Sequence, residues 1–153
     1  MPKIDTDAKP PIPIREMVIG PKTVGEWDTE WRRLDGDFNV TQTCVNKTVG
    51  LYRAVDGNDT MAIGQAIEFQ NGALRKRISD FRRKCESNSK GFMGEYIRDN
   101  RISLKLFVLC VGDNEEAAKL TIDLKEAMLK LYNPPKNASE LTIRRAISQR
   151  QKK

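Results

Sequence analysis

The chain has 153 residues, with 27 Lys and Arg against 21 Asp and Glu, a net charge of +6, and no histidine. That length suits one domain, and the charge favours an anionic partner. The missing imidazole excludes Ser-His-Asp hydrolases, Cys-His proteases and histidine-metal nucleases, so a hydrolase built here must take its base from Tyr, Lys, Asp or Glu.

No apolar run is long enough to cross a membrane. The opening Met-Pro-Lys-Ile-Asp-Thr-Asp lacks the charged-then-apolar pattern of a secretory signal, so a cytoplasmic protein is expected. Cys44, Cys85 and Cys110 are isolated and lack metal-ligand spacing. In a reducing compartment they are expected as free thiols.

Pro2, Pro10, Pro11, Pro13 and Pro21 make residues 1–24 an expected extended arm, because each ring removes a backbone donor. Trp27, Trp31 and Leu34 recur at i, i+4 and i+7, which predicts a short amphipathic helix over 25–36 with Gly36 as its stop. Residues 47–55 predict a strand with Val49, Leu51 and Val55 on one face and Gly50, Tyr52 and Ala54 on the other. Asp56-Gly57-Asn58-Asp59 is a turn signal. The return strand, Thr60 to Gly64, puts Met61 and Ile63 on the apolar face and Ala62 and Gly64 on the small one. Tyr52 is therefore the one large side chain on a surface that lets a helix or a phosphate approach the backbone.

Residues 73–85 predict a helix with Leu74, Ile78 and Phe81 as its core stripe and Arg75, Lys76, Arg77, Arg82, Arg83 and Lys84 over much of the rest. A loop over 87–94 and a short helix from Phe92 to Arg98 follow. Ile102 to Val111 reads as a central strand. Asp113 or Asn114 can cap a long helix running to about Tyr132, which Pro134-Pro135 ends. Ser139 can cap a last helix from Glu140 to about Gln149, in a tail carrying Arg144 and Arg145. The order predicts an α+β domain over 47–137, a three-stranded, largely antiparallel sheet flanked by helices. Residues 25–46 form its leading helix and connector, and 138–153 its basic tail.

Three residues suggest chemistry. Glu126 falls in a stripe with Ala118, Ile122 and Leu129. A carboxylate in such company must be paired, protonated or metal-bound, and Lys130 at i+4 offers the pairing. The Arg77 fork can hold a phosphate by two hydrogen bonds or lie on a solvated basic face. Tyr52 on a strand is ordinarily packing, and its phenol is a poor base unaided.

Taken in order, Gly50-Leu51-Tyr52, Ala62-Ile63-Gly64, Leu74-Arg75-Lys76-Arg77-Ile78, Glu126 and Tyr132-Asn133-Pro134-Pro135-Lys136-Asn137 resemble the GIY-YIG nucleases over roughly residues 48–137. The resemblance implies a metal-dependent endonuclease that hydrolyses DNA phosphodiesters with one Mg²⁺ or Mn²⁺. It implies Tyr52 as general base or water-orienting group, Arg77 as phosphate holder and Glu126 as metal ligand. Gln65 follows the second string as in the family. Gln65, Arg75, Lys76, Arg82, Arg83, Lys84, Arg144 and Arg145 are expected along the backbone of DNA, or of RNA, bound by a monomer or homodimer. The second string carries Ala62 where the family has tyrosine, and Ile67 to Gly72 reads as an insertion. A protein that keeps the fold as a nucleic-acid-binding or interaction module is the alternative.

Overall fold

The structure, a computed structural model, describes residues 12–82 and 92–137. Strands β1 (Val18–Ile19) and β2 (Lys22–Thr23) form a small antiparallel ribbon. Helix α1 (Val24–Asp28) follows at once. Thr23 accepts a hydrogen bond from the Glu26 backbone while Glu26 accepts one from that of Thr23, so the helix start is fixed by its own sequence. Strand β3 (Arg32–Arg33), the hairpin β4 (Val49–Asp56) and β5 (Asp59–Ala66), and helices α2 (Leu74–Asp80) and α3 (Phe92–Asn100) come next. Strand β6 (Lys105–Gly112) and helix α4 (Glu115–Tyr132) complete the order. The architecture is α+β, with an antiparallel sheet in the order β3-β6-β4-β5 and four helices among the described residues.

The sheet is covered on both faces. Tyr52, Ala54, Ala62 and Ala66 share one core with Leu106 and Val108, packed under Leu74, Ile78 and Phe81 of α2 and Ile97 of α3. Leu51, Ile63 and Leu109 point the other way, into Leu124, Ala127 and Met128 of α4 and Trp27 of α1. The small side chains expected on the Tyr52 face are thus what admits α2 to the sheet. Helix α4 begins at Asn114, whose side chain accepts from the Ala117 backbone, and it ends at Asn133 in the left-handed region (φ 45°), just before the proline pair.

Several expectations are corrected. The sheet has four strands rather than three, because Arg32 and Arg33 pair with Val108 and Phe107. Residues 14–24 are not an extended arm: Gly20 (φ 61°) turns the ribbon, and Ile19 and Val24 are buried. The helix expected over 25–36 stops at Asp28, so Trp27 and Trp31 are not one stripe. Trp27 is buried, with its indole N–H on the Ile19 carbonyl at 2.8 Å, and Trp31 lies beyond the helix. The basic helix is shorter than 73–85, and the strand expected from Ile102 starts at Lys105, with Ile102 86% exposed. A register shift between Val49 and Gly50 places Val49 in the Tyr52 core, away from Leu51. Residues 83–91, with most of the loop expected over 87–94, the final helix expected from Glu140 and residues 1–11 lie outside the described residues.

Strand β5 is a sheet edge, and edges invite pairing with other chains. Asn137 covers it: its Oδ1 accepts from the Ile63 N–H at 2.8 Å and its Nδ2 donates to the Ile63 carbonyl at 2.7 Å. An Asn137→Ala variant is expected to lose about 1–3 kcal/mol through those two unmet backbone groups. It should also self-associate more readily, which urea unfolding and sedimentation would read. Unchanged stability and mass would show that water replaces the side chain at no cost.

Candidate functional site

Tyr52 lies across from Gly64 on β5, and its ring fills the space a side chain would take there. A Cβ on Gly64 would stand 2.1 Å from Tyr52 Cζ and Oη. The ring also meets Phe81 edge-on, with centroids 5.5 Å apart. Burial pushes the phenol up to about 12, with the nearby Arg77 charge opposing that shift and Glu68 adding to it. At neutral pH Tyr52 is therefore a neutral phenol, able to donate a hydrogen bond, with even less of the phenolate that a general base needs than a free tyrosine has.

Arg77 projects from the last turn of α2, and its Nη2 pairs with Glu68 Oε1 at 2.8 Å. Glu68 belongs to the β5–α2 connection, which reads as an insertion in sequence, and about half of its side chain is exposed. Ala73 sits between them with φ 47°, a conformation that costs a non-glycine residue of order 1–3 kcal/mol and lets α2 start at Leu74. The Arg77 charge and Glu68 thus both act on the buried Tyr52 phenol, and Glu68 is not among the site residues expected from the sequence.

Glu126 is not brought to them. It is exposed and pairs with Lys130 at 3.8 Å, one helical turn on. It borders a groove against Met17, Val18 and Ile19 of the ribbon side, on the face of the sheet opposite Tyr52. The costly buried carboxylate expected there does not exist, and the i+4 pair accounts for the residue. The α4 side chain that senses Arg77 is Lys125. It is half-buried, and its ammonium is depressed first by burial and then by the Arg77 charge. Sequence reasoning missed Lys125 because one position along a helix rotates a side chain by about 100°, a step that the apolar pattern resolves poorly.

A divalent metal held by Glu126 therefore does not fit the Tyr52–Arg77 end. Of the groups that act with Arg77, Tyr52 is a phenol, Lys125 a second cation and Glu68 a carboxylate already paired with the guanidinium, whereas Mg²⁺ takes carboxylate oxygen. Among the described residues there is no group of three or more His, Cys, Asp or Glu side chains that would hold a metal ion.

The other cations of α2, and Arg82 just after it, have local partners. Arg75 donates to Asn46 at 2.8 Å, Lys76 pairs with Asp80 at 3.2 Å, and Arg82 donates to Thr41 at 2.9 Å. Gln65 is half-buried on β5 beside Leu51 of β4. Arg83, Lys84, Arg144 and Arg145 lie outside the described residues. The described residues carry 17 Lys and Arg and 17 Asp and Glu, so the net charge of +6 comes from segments 83–91 and 138–153. No helix among the described residues is long and apolar enough to cross a membrane. No protein-family model, curated protein or solved structure matches the chain.

Proposed function

We propose that the protein is a nucleic-acid-binding module that holds phosphates without hydrolysing them. The observation that carries this reading is which α4 side chain faces inward: Lys125 is half-buried and its ammonium is depressed by burial and then by the Arg77 charge, whereas Glu126 beside it is exposed and paired with Lys130. Arg77 and Lys125 together suit a phosphate, which either can bind by charge-assisted hydrogen bonds once exposed Glu68 gives way. Glu68 offsets the charge of Arg77, and an anion taking its place would offset that of Lys125 as well. The basic segments 83–91 and 138–153 supply the long-range attraction that the neutral remainder lacks. Ala62 in the second string removes a further hydroxyl from the same end.

The second reading is a DNA endonuclease using Mg²⁺ or Mn²⁺. It is favoured by the order of the motifs and by the approach of Arg77 to Tyr52. It requires Tyr52 and Glu126 at one phosphate, and they face opposite sides of the sheet.

The two readings separate on supercoiled plasmid with Mg²⁺ or with EDTA, beside anisotropy on a short duplex. The expected result is binding that falls with salt, is indifferent to Mg²⁺, and leaves the plasmid intact. Lys125→Ala should weaken binding about fivefold, the loss of one partly screened phosphate contact, while Glu126→Ala leaves it unchanged. Mg²⁺-dependent nicking that is lost in both Tyr52→Phe and Glu126→Ala would establish the endonuclease and end the binding-only reading.

A further inference from the structure

Arg53 lies on β4 immediately after Tyr52 and points to the opposite face of the sheet. Its guanidinium carbon stands 4.7 Å from the centroid of Phe107 and 4.9 Å from those of Trp31 and Tyr132. Three rings thus replace water around a cation. Nη1 donates to Thr60 Oγ1 at 2.9 Å, while Nε is buried with no hydrogen-bond partner. No carboxylate lies within ion-pair distance of Arg53 among the described residues. Asp28, whose charge acts on it, is engaged by Arg15 at 3.0 Å, by the Trp31 indole at 3.0 Å and by the Tyr132 hydroxyl. A half-buried cation without a counter-ion, whose Nε–H is buried and unpaired, costs the fold that donor's desolvation.

Beside it is a cavity of about 470 Å³, whose wall includes Arg53, Asn58, Asp59, Thr60, Tyr132 and Asn133. That is several times what an inorganic phosphate fills, and it falls in the range of small-molecule sites. The wall combines one cation, an aromatic ring, neutral groups that can donate to or accept from a nucleoside, and a single carboxylate, Asp59, at the exposed strand end. We infer that this cavity binds a nucleotide monophosphate, with Arg53 on the phosphate and the polar wall on the nucleoside. The same chemistry is offered by a free mononucleotide and by the 5′-phosphorylated end of a strand. The site is on the other face of the sheet from Arg77 and does not depend on what Arg77 binds.

The test is a titration of the ¹⁵N-labelled full chain with adenosine 5′-monophosphate, adenosine and inorganic phosphate. The expected result is a saturable shift of the Arg53 Nε–H and of the Thr60 and Asn133 amides. The monophosphate should bind with a Kd below about 1 mM and the two fragments at least about tenfold more weakly. Asp59→Asn, at the exposed strand end, should tighten binding about fivefold by removing the one like charge. Arg53→Lys, with its melting temperature checked, should weaken it about tenfold, because an ammonium lacks the planar fork. Adenosine binding as tightly as its monophosphate would overturn the proposal, as would shifts confined to 83–91 and 138–153, or an Asp59→Asn variant with unchanged affinity. Repeating the titration with a 5′-phosphorylated and a 5′-hydroxyl oligonucleotide names the source. Arg53 shifts from the phosphorylated strand alone point to a strand end, and shifts from the free nucleotide alone to a metabolite, and both support the site.

Discussion

Gly50→Ala is expected to cost about 3 kcal/mol or more, a drop of roughly 10 °C in melting temperature for a chain of this size. A Cβ at that position would lie 2.0 Å from the Leu109 carbonyl oxygen and 3.1 Å from its carbon. Those are backbone atoms of the neighbouring strand, so no rotamer change relieves the contact. It falls at the register shift where β4 begins to pair with β6, and the two strands would have to part there. Gly64→Ala meets a different obstacle, the Tyr52 ring at 2.1 Å. Its cost of about 2 kcal/mol should largely vanish in a Tyr52→Leu background, whereas that of Gly50→Ala should not. Chemical denaturation of the parent, the three single variants and the two double variants checks both statements. A Gly64→Ala penalty that survives the loss of the ring would show that the backbone, and not Tyr52, sets the need for glycine.

The glycines were legible in sequence, and so was much around them. The hairpin follows from alternation and the Asp56–Asp59 turn, and α4 from its apolar stripe, its Asn114 cap and the prolines behind it. Those are local signals. The failures concern contacts between distant segments. Nothing near Arg32 announces that it pairs with Val108, and nothing near Gly20 announces that the ribbon packs on α4. Arg53 was passed over because a strand arginine reads as solvated until Trp31, Phe107 and Tyr132 converge on it. Glu126 stands out in sequence as a carboxylate in a stripe with Ala118, Ile122 and Leu129, but that stripe is not buried, with Ile122 exposed beside it. Helix rotation decides instead, and it presents Lys125 to Arg77.

Removing residues 138–153 is expected to weaken duplex binding by about 100-fold near 0.1 M salt. The segment holds five Lys and Arg and one Glu, so its loss takes the net charge from +6 to +2. Each phosphate contact given up lowers the slope of log K against log salt by about 0.9. Three or four contacts account for the expected loss, and the slope should flatten by about 3. The cut must fall after Asn137, since its amide holds the Ile63 edge. With that residue kept, the melting temperature should not move. Anisotropy over a salt series on both proteins makes the comparison. Equal slopes would show that the tail makes no phosphate contacts, leaving binding to α2, Lys125 and segment 83–91.

Strand β4 takes its two neighbours from very different distances along the chain. Its pairing with β5 closes through the tight turn at Gly57, while Val55 meets Lys105 only after some fifty intervening residues. Hairpins of this kind zip in microseconds, whereas closing the long loop carries a larger entropy cost and comes later. On the ribosome the interval is longer still, several seconds at about 5–20 residues per second. Through that interval the most deeply buried strand of the finished protein has one open edge and both its apolar rows uncovered. The yield of soluble chain is then set by how soon β6 arrives, and slow codons between 67 and 104 should lower it while leaving the final stability untouched.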